Sequence, residues 1–278
     1  MELLVKSLHI DLMNNNLDRV IQKRAPFIFK KNIIGKIFRL ILKKLFKYEE
    51  TKKNLEVINA MKSQEALKWL SDKYTPNVVI SGQENIPKEK SALIVANHPM
   101  GPADVISLNS NLNDVRNDIY IYANEIFIDL VGEFKDCMVP LYWDKNKEIH
   151  IANKTTYKKM IAFIKKEMIG IYFPSGRIAK YGVLKTKDYI WHETPLNIAK
   201  RYDLKIIPIY IDSRNSIIFY LSRLLHNNLR DISQIYELLN KKNRHIKISI
   251  GPPINRKDLN KKNSIAIKEL RKIVENLR

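Results

Sequence analysis

A histidine and an aspartate lie six positions apart in ANHPMGPAD, residues 96–104, where an apolar run ends. Histidine is the side chain best suited to accept a proton from a hydroxyl group at neutral pH. A carboxylate beside one ring nitrogen orients the ring and stabilises the imidazolium that forms. Pro102 is typical of a first helical turn, which would bring Asp104 close to the loop that carries His98. The pattern therefore fits a catalytic pair, although a turn histidine followed by a helix-cap aspartate would have the same sequence.

A second polar loop follows the apolar run GIYF and reads PSGR, residues 174–177. The guanidinium of Arg177 offers a planar pair of donors to a phosphate or a carboxylate. Gly101 in the first loop and Gly176 in the second allow close backbone approach, so that neighbouring N–H groups could face an acyl carbonyl or a phosphate. Ordinary turn geometry would explain both glycines as well.

Strands and helices alternate from residue 76 onward. This order predicts an α/β fold with a mainly parallel sheet flanked by helices, in which active sites gather beyond the carboxyl ends of the strands. The predicted strands are NVVIS, ALIVAN, DIYIYAN, MVPLYW, GIYF, KIIPIYID and IKISIG. The predicted helices include EIFIDLVGEF, TYKKMIAFIKKEM, ETPLNIAKRYDL and SIAIKELRKIVENL. Both polar loops follow predicted strands, so the fold places them at functional positions.

Residues 1–75 read as a basic helical segment that precedes a domain at residues 76–278. Within it, residues 26–48 place apolar side chains on one side of a helix and basic ones on the other. Such a helix suits an anionic bilayer interface, and it suits packing onto the rest of the protein equally. The apolar side consists of Ile34, Ile37, Phe38, Ile41, Leu42, Leu45 and Tyr48.

The chain is strongly basic, with 49 Lys and Arg residues against 29 Asp and Glu residues and a formal net charge of +20. This charge favours an anionic partner: a membrane surface, an acidic carrier protein or a nucleic acid. Abundant Lys, Ile and Asn, as AT-rich codons produce, would also account for much of it. Glu2 and Asp11 interrupt the apolar core that a signal peptide needs, and no window reaches roughly 18 uncharged apolar residues. A protein on the cytoplasmic side is expected.

The only cysteine, Cys137, excludes an intramolecular disulfide and a multi-cysteine metal site. Its apolar neighbours in FKDCMVPLY favour a small core residue over a nucleophile. The histidines other than His98 show no metal-ligand spacing with one another or with acids. We therefore expect no metal site.

The stretch VANHPMGPADVISL resembles the first motif of the glycerolipid (1-acylglycerol-3-phosphate or phospholipid) acyltransferase superfamily, in which Asn-His and then Asp follow a buried strand. GIYFPSGRIAKYG resembles the Phe-Pro-Glu-Gly block of that family, and KIIPIYI resembles its closing strand. The likeness runs in family order over roughly residues 76–254. Five residues rather than four separate His98 from Asp104, which resembles a bacterial His-Pro-x-Gly-x-x-Asp branch that carries hemolysin labels and includes lyso-ornithine-lipid acyltransferases.

Two departures from the family pattern fall on the acceptor-binding side. Ser175 stands where the family has glutamate, and the arginine of the second motif has no clear equivalent near VPLYWDKNK. Lys145, Lys147 and Arg177 are candidates to replace that arginine. The departures point away from lysophosphatidic acid as acceptor and leave the histidine and the aspartate in place.

The resemblance implies transfer of a fatty acyl group from acyl-CoA or acyl-carrier protein to a hydroxyl of a lyso-lipid, either lyso-ornithine-lipid-like or a lysophospholipid. His98 would be the general base and Asp104 its orienting partner, with no metal and no bound cofactor. The residues expected to bind substrate are Asn97, Gly101, Phe173, Pro174, Ser175, Gly176 and Arg177. The expected location is the cytoplasmic face of the inner membrane, where the protein would be peripheral.

Two other interpretations remain. A catalytically silent, membrane-associated scaffold of the same fold would tolerate Ser175 in the third motif, although the presence of both His98 and Asp104 counts against it. A basic nucleic-acid-binding protein would explain the net charge but neither polar loop, and no nucleic-acid motif is recognisable. No nucleic-acid partner is therefore expected.

Overall fold

The apolar runs form the strands of one large sheet in the computed structural model, which describes residues 16–24, 26, 32–33, 35–36, 39–40, 44, 46–142, 149–181, 186–225, 227–259 and 262–278. The strands are β1 Val78–Ser81, β2 Ala92–Ala96, β3 Ile119–Asn124, β4 Met138–Leu141, β5 Ile169–Tyr172, β6 Lys180–Tyr181, β7 Thr186–Lys187, β8 Lys205–Asp212 and β9 Ile246–Ile250. β6 and β7 form a separate antiparallel hairpin within what the sequence presented as a polar loop.

The seven strands of the large sheet lie in the order β1-β9-β8-β2-β5-β3-β4. β8, β2, β5, β3 and β4 are mutually parallel, whereas β1 and β9 run in the opposite direction. The prediction of a mainly parallel α/β sheet is confirmed. Because Ala92 of β2 is in register with both Ile169 of β5 and Lys205 of β8, the loops that follow β2 and β5 leave the sheet side by side.

Helices cover both faces of this sheet. They are α1 Asn16–Arg24, α2 Tyr48–Ile58, α3 Ser63–Tyr74, α4 Pro102–Leu112, α5 Ile126–Leu130, α6 Ile149–Lys165, α7 Thr194–Tyr202, α8 Ile217–Leu225, α9 Asn227–Leu239 and α10 Asn263–Asn276. Alternate residues of a strand point to opposite faces, so Ile94 packs in one hydrophobic cluster and Leu93 in the other. Burial on both faces explains why the central strands are continuously apolar.

The N-terminal helices share the core of the sheet. Leu17 and Val20 of α1 and Leu67 of α3 are buried in the same cluster as Ile94. The predicted division at residue 75 thus marks the start of the sheet rather than a break in the core. Most of the apolar side of the predicted amphipathic helix lies outside the described residues. No helix in the described parts of the chain has the length and hydropathy needed to cross a bilayer.

The predicted helix EIFIDLVGEF differs from the structure, which divides it into α5 and a 3-10 turn at Gly132–Asp136. Val131 separates the two with extended backbone angles, φ −132° and ψ 97°. A residue with that ψ cannot continue a helix, so the apolar spacing of this segment predicted one helix where the backbone forms two short turns.

Candidate active site

His98 and Asp104 meet at the carboxyl end of β2. The Nδ1 atom of His98 lies 2.9 Å from Oδ2 of Asp104, and the two side chains are 17% and 0% exposed. The two atoms are at ion-pair distance, although Nδ1 does not make a well-aligned hydrogen bond. With Nδ1 buried against the carboxylate, Nε2 is the nitrogen available to a substrate. The turn between strand and helix therefore brings the two residues together as the sequence suggested.

The backbone of the turn fixes the aspartate. Oδ2 of Asp104 accepts the N–H groups of Met100 and Gly101, both at 2.9 Å. Gly101 has φ 79° and ψ −126°, a conformation that is essentially restricted to glycine. A Cβ at this position would lie 2.5 Å from Cδ1 of Ile178. Gly101 is therefore required by the turn, and its N–H is directed to Asp104 rather than to a substrate.

The ring of His98 also packs on Phe173 from the second loop. The ring centroids are 4.1 Å apart and the planes are 26° from parallel. The main-chain carbonyl of His98 accepts the N–H of Ala179 at 2.8 Å, which joins the first loop to the segment after the second. The predicted site residues His98 and Phe173 thus lie in direct contact.

Three residues that were expected to bind substrate make hydrogen bonds within the protein instead. They are Asn97, Pro174 and Ser175. Asn97 exchanges two hydrogen bonds with the backbone of Ile211 in β8, at 2.9 and 2.7 Å. The hydroxyl of Ser175 donates to the carbonyl of Arg177 at 2.9 Å, and the carbonyl of Pro174 accepts the N–H of His192. These contacts shape the two loops, and the structure brings none of the three residues to the cavity described next.

A cavity of about 460 Å³ opens beside His98 and is lined mainly by apolar side chains. Gly101, Phe173, Gly176 and Arg177 border it near the histidine. It follows β3 and β4 toward Met138, at the end of β4 remote from the loops, and helices α1, α3, α4, α5 and α9 close it. The apolar wall away from the histidine consists of Val20, Ile21, Leu67, Ile106, Phe127, Leu130, Phe134 and Met138.

Arg177, which lines the cavity, is one of three basic side chains that contact nearby tyrosines. The guanidinium of Arg177 lies 5.5 Å from the ring centroid of Tyr189, and the amine of Lys180 lies 4.4 Å from the same ring. Arg214 donates to the hydroxyl of Tyr181 at 3.4 Å. Only Arg177 of these cations was a predicted site residue. Lys180 and Arg214 belong to segments that, in sequence alone, resemble other basic stretches of the chain.

The remaining candidate residues from the sequence are a buried cysteine and two lysines that lie outside the described residues. Burial raises the pKa of the Cys137 thiol to about 11, so this cysteine is a protonated core residue at neutral pH. The candidate replacements for the second-motif arginine, Lys145 and Lys147, are both outside the described residues. Within the described parts of the chain, no three His, Cys, Asp or Glu side chains gather as metal ligands.

Asp188 is the site residue that sequence reasoning missed. Its Oδ1 accepts the backbone N–H of His98 at 3.2 Å, and its Oδ2 accepts the indole N–H of Trp191 at 2.9 Å. Burial raises the pKa of the Asp188 carboxyl, and the two N–H groups oppose that shift. No motif marks Asp188, because its link to His98 spans 90 residues of sequence.

Comparisons with known proteins find acyltransferases. A sequence model of the Acyltransferase family matches residues 77–212. A lyso-glycine lipid O-acyltransferase of Phocaeicola vulgatus is 26% identical over 186 residues, or 64% of this chain and 64% of that protein, just under two thirds of its length. A second protein of that name, from Bacteroides thetaiotaomicron, is 25% identical over 207 residues, covering 74% of this chain and 73% of its own length.

A solved structure shares the fold. The crystal structure of the 1-acyl-sn-glycerophosphate (LPA) acyltransferase PlsC from Thermotoga maritima aligns with a TM-score of 0.51 at 18% identity, covering 87% of this chain and 95% of that one. His98, Asp104 and the Phe173–Arg177 loop all lie inside the residues that match the family. Residues 77–212, just under half of the chain, thus match the Acyltransferase family.

Proposed function

We propose that this protein is an O-acyltransferase that moves a fatty acyl group from a thioester to a hydroxyl of a lyso-lipid. The observation that carries the proposal is the pairing of His98 with Asp104 at the mouth of an apolar cavity. A general base beside an apolar cavity suits a reaction between a hydroxyl group and a fatty thioester. The names of the two curated relatives support the same reaction class.

The proposed reaction is a direct transfer. The acceptor hydroxyl donates to Nε2 of His98, which takes its proton as the oxygen attacks the thioester carbonyl. The tetrahedral oxyanion then collapses, the C–S bond breaks, and the imidazolium returns the proton to the departing sulfur. Asp104 stabilises the imidazolium between these two steps. Since a thioester is already activated, the chemistry requires no covalent acyl-enzyme.

The apolar cavity fits the acyl chain of the donor. In this arrangement the thioester carbonyl lies near His98 and the chain extends toward Met138, along apolar walls that exclude water. The phosphates of acyl-CoA or the acidic surface of a carrier protein would meet Arg177, which lines the cavity, and Lys180, which contacts the same tyrosine ring as Arg177. Either donor satisfies this charge pattern.

The acceptor that we favour is a lyso-lipid whose head group ends in a free carboxylate. Arg177 lines the mouth of the cavity beside His98, and a planar guanidinium pairs with a carboxylate through two parallel hydrogen bonds. Both curated relatives are named for a lyso-glycine lipid, which supports an amino-acid head group. Ser175 in place of the family glutamate agrees with an acceptor other than lysophosphatidic acid.

We further propose that the protein works from the cytoplasmic face of the inner membrane as a peripheral protein. The formal net charge of +20 suits an anionic bilayer. Ile33 and Leu40, in the basic segment before α2, are 74% and 53% exposed, and Ile217 of α8 is 70% exposed. We propose that these exposed apolar side chains contact the bilayer, next to basic residues that attract its anionic lipids.

A vesicle assay tests acceptor and membrane together. Anionic vesicles carrying lyso-glycine lipid or lysophosphatidic acid are incubated with protein and palmitoyl-CoA or palmitoyl carrier protein, and products are identified by mass spectrometry. We expect protein to float with anionic but not neutral vesicles and to acylate the lyso-glycine lipid. Arg177→Gln should raise the KM for that acceptor about tenfold, while the exposed control Arg201→Gln leaves it unchanged. Acylation of lysophosphatidic acid alone would overturn the acceptor assignment.

Filling the cavity should change the preferred acyl chain. Met138→Trp narrows the end remote from His98, so shorter acyl chains should replace long ones as the best donors. Ala123→Phe narrows the cavity further toward the carboxyl end of β3, so it should slow all long-chain donors alike. The measurement is kcat/KM for a series of acyl thioesters, with each variant's melting temperature as the control for folding. An unchanged chain-length profile in Met138→Trp would place the acyl chain elsewhere.

A further inference from the structure

Asp188 holds the main chain at the histidine from a separate part of the sequence. Its two carboxylate oxygens accept two different N–H groups, one from the backbone of His98 at 3.2 Å and one from the indole of Trp191 at 2.9 Å. The carbonyl of His98 is held on its other side by the N–H of Ala179 at 2.8 Å. The peptide groups that flank the histidine are thus tied to the segment that follows the second loop.

The segment that carries Asp188 is itself anchored at two points. Trp191 is 5% exposed and packs in the cluster on the other face of the sheet from α4. Arg271 of α10 donates to the carbonyls of Tyr189 and Asp188 at 3.1 and 3.3 Å. Its Nε also donates to Glu275 at 2.8 Å, which holds the guanidinium in place. Helix α10 lies outside the residues that match the family, so this support comes from beyond that domain.

We infer that Asp188 is a positioning residue for the proposed reaction, one that fixes the backbone of His98 so that its ring stays between Asp104 and Phe173. The inference rests on the proposed function. The Nδ1 atom of His98 lies 2.9 Å from Oδ2 of Asp104. A small shift of the peptide group at His98 would therefore change both this contact and the approach of Nε2 to the acceptor hydroxyl. Misplacement of a reacting group by about 1 Å is enough to slow a reaction severely.

Asp188→Asn provides the test because it keeps the shape and changes the hydrogen-bonding capacity. A carboxylate accepts both N–H groups, whereas an amide accepts one and turns its own NH₂ toward the other donor. We expect kcat to fall about tenfold while the KM for thioester and acceptor stays constant. Trp191→Phe removes the competing indole N–H, so the double variant Asp188→Asn with Trp191→Phe should return kcat to within about twofold of Trp191→Phe alone.

An activity-independent measurement accompanies the kinetics. Hydrogen exchange of the His98 amide should be faster in Asp188→Ala than in wild type, because its acceptor is gone, while amides in β2 keep their protection. Wild-type kcat in Asp188→Asn, no recovery in the double variant or an unchanged His98 amide would each overturn the inference. His98→Ala separates the two proposals: if it is inactive while Asp188→Asn is unaffected, only the positioning role fails, and if it is active, the proposed function fails.

Discussion

His98→Ala should lose about 10²- to 10⁴-fold in kcat for acyl transfer, the range that a general base contributes. Alanine removes the only imidazole that lines the cavity in the described structure, and no neighbouring group there replaces it as a base near neutral pH. The KM for the thioester should change little, because the acyl chain binds along apolar walls. The measurement is steady-state turnover with the vesicle-borne acceptor and one fixed thioester.

Folding should survive this change. The His98 side chain is 17% exposed, and the stacking on Phe173 that alanine removes is worth about 0.5–1.5 kcal/mol. His192→Ala is the matched control, because that side chain is exposed and lies outside the cavity. Wild-type turnover in His98→Ala would end the proposal and favour the silent-scaffold interpretation, in which the lipid-binding fold remains without chemistry.

Asp104→Asn should lower kcat by about 10²- to 10⁴-fold while leaving the turn intact, as loss of the orienting carboxylate does in other histidine-dependent enzymes. An amide oxygen in the place of Oδ2 still accepts the N–H groups of Met100 and Gly101. The new NH₂ takes the place of Oδ1, which has no hydrogen-bond partner among the described residues. The substitution therefore removes the negative charge beside His98 and keeps both backbone contacts, while the buried NH₂ group without an acceptor there costs about 1–3 kcal/mol of stability.

The matched control is Asp114→Asn, which removes the same charge from an exposed side chain just beyond the carboxyl end of α4. It should leave turnover and melting temperature unchanged. If Asp104→Asn folded and turned over at the wild-type rate, the carboxylate would have no part in the chemistry, and Asp104 would be only the cap residue that the sequence also allowed.

The fold was predictable because its strands are buried on both faces. ALIVAN and KIIPIYID are apolar without alternation, and the structure places them as the adjacent parallel strands β2 and β8. The pairing of His98 with Asp104 was predictable for a local reason: only six positions separate them, and Pro102 and Gly101 restrict how the chain can turn between them. The strand order was not predictable, since nothing local in β9 specifies β1 and β8 as its neighbours.

The contacts that sequence reasoning missed join distant segments. The family resemblance implied that Asn97 binds substrate, but its partner is the backbone of Ile211, 114 residues away. Because every residue has the same backbone N–H and C=O groups, the residue type at position 211 does not reveal this contact. The same holds for Asp188, and for a cavity whose wall is assembled from five helices and three strands.

Part of the cavity wall comes from the N-terminal helices, which precede the residues that match the family. The residues that line it there are Val20 and Ile21 of α1 and Leu67 of α3. In the proposed enzyme, the proton-transfer groups and the far wall of the acyl site are therefore encoded in separate stretches of the gene. Substitutions in the N-terminal helices can alter which fatty acids are accepted without touching the groups that move the proton. The acyl-chain composition of the lipids that the proposed enzyme makes would then change while the transfer chemistry stays constant.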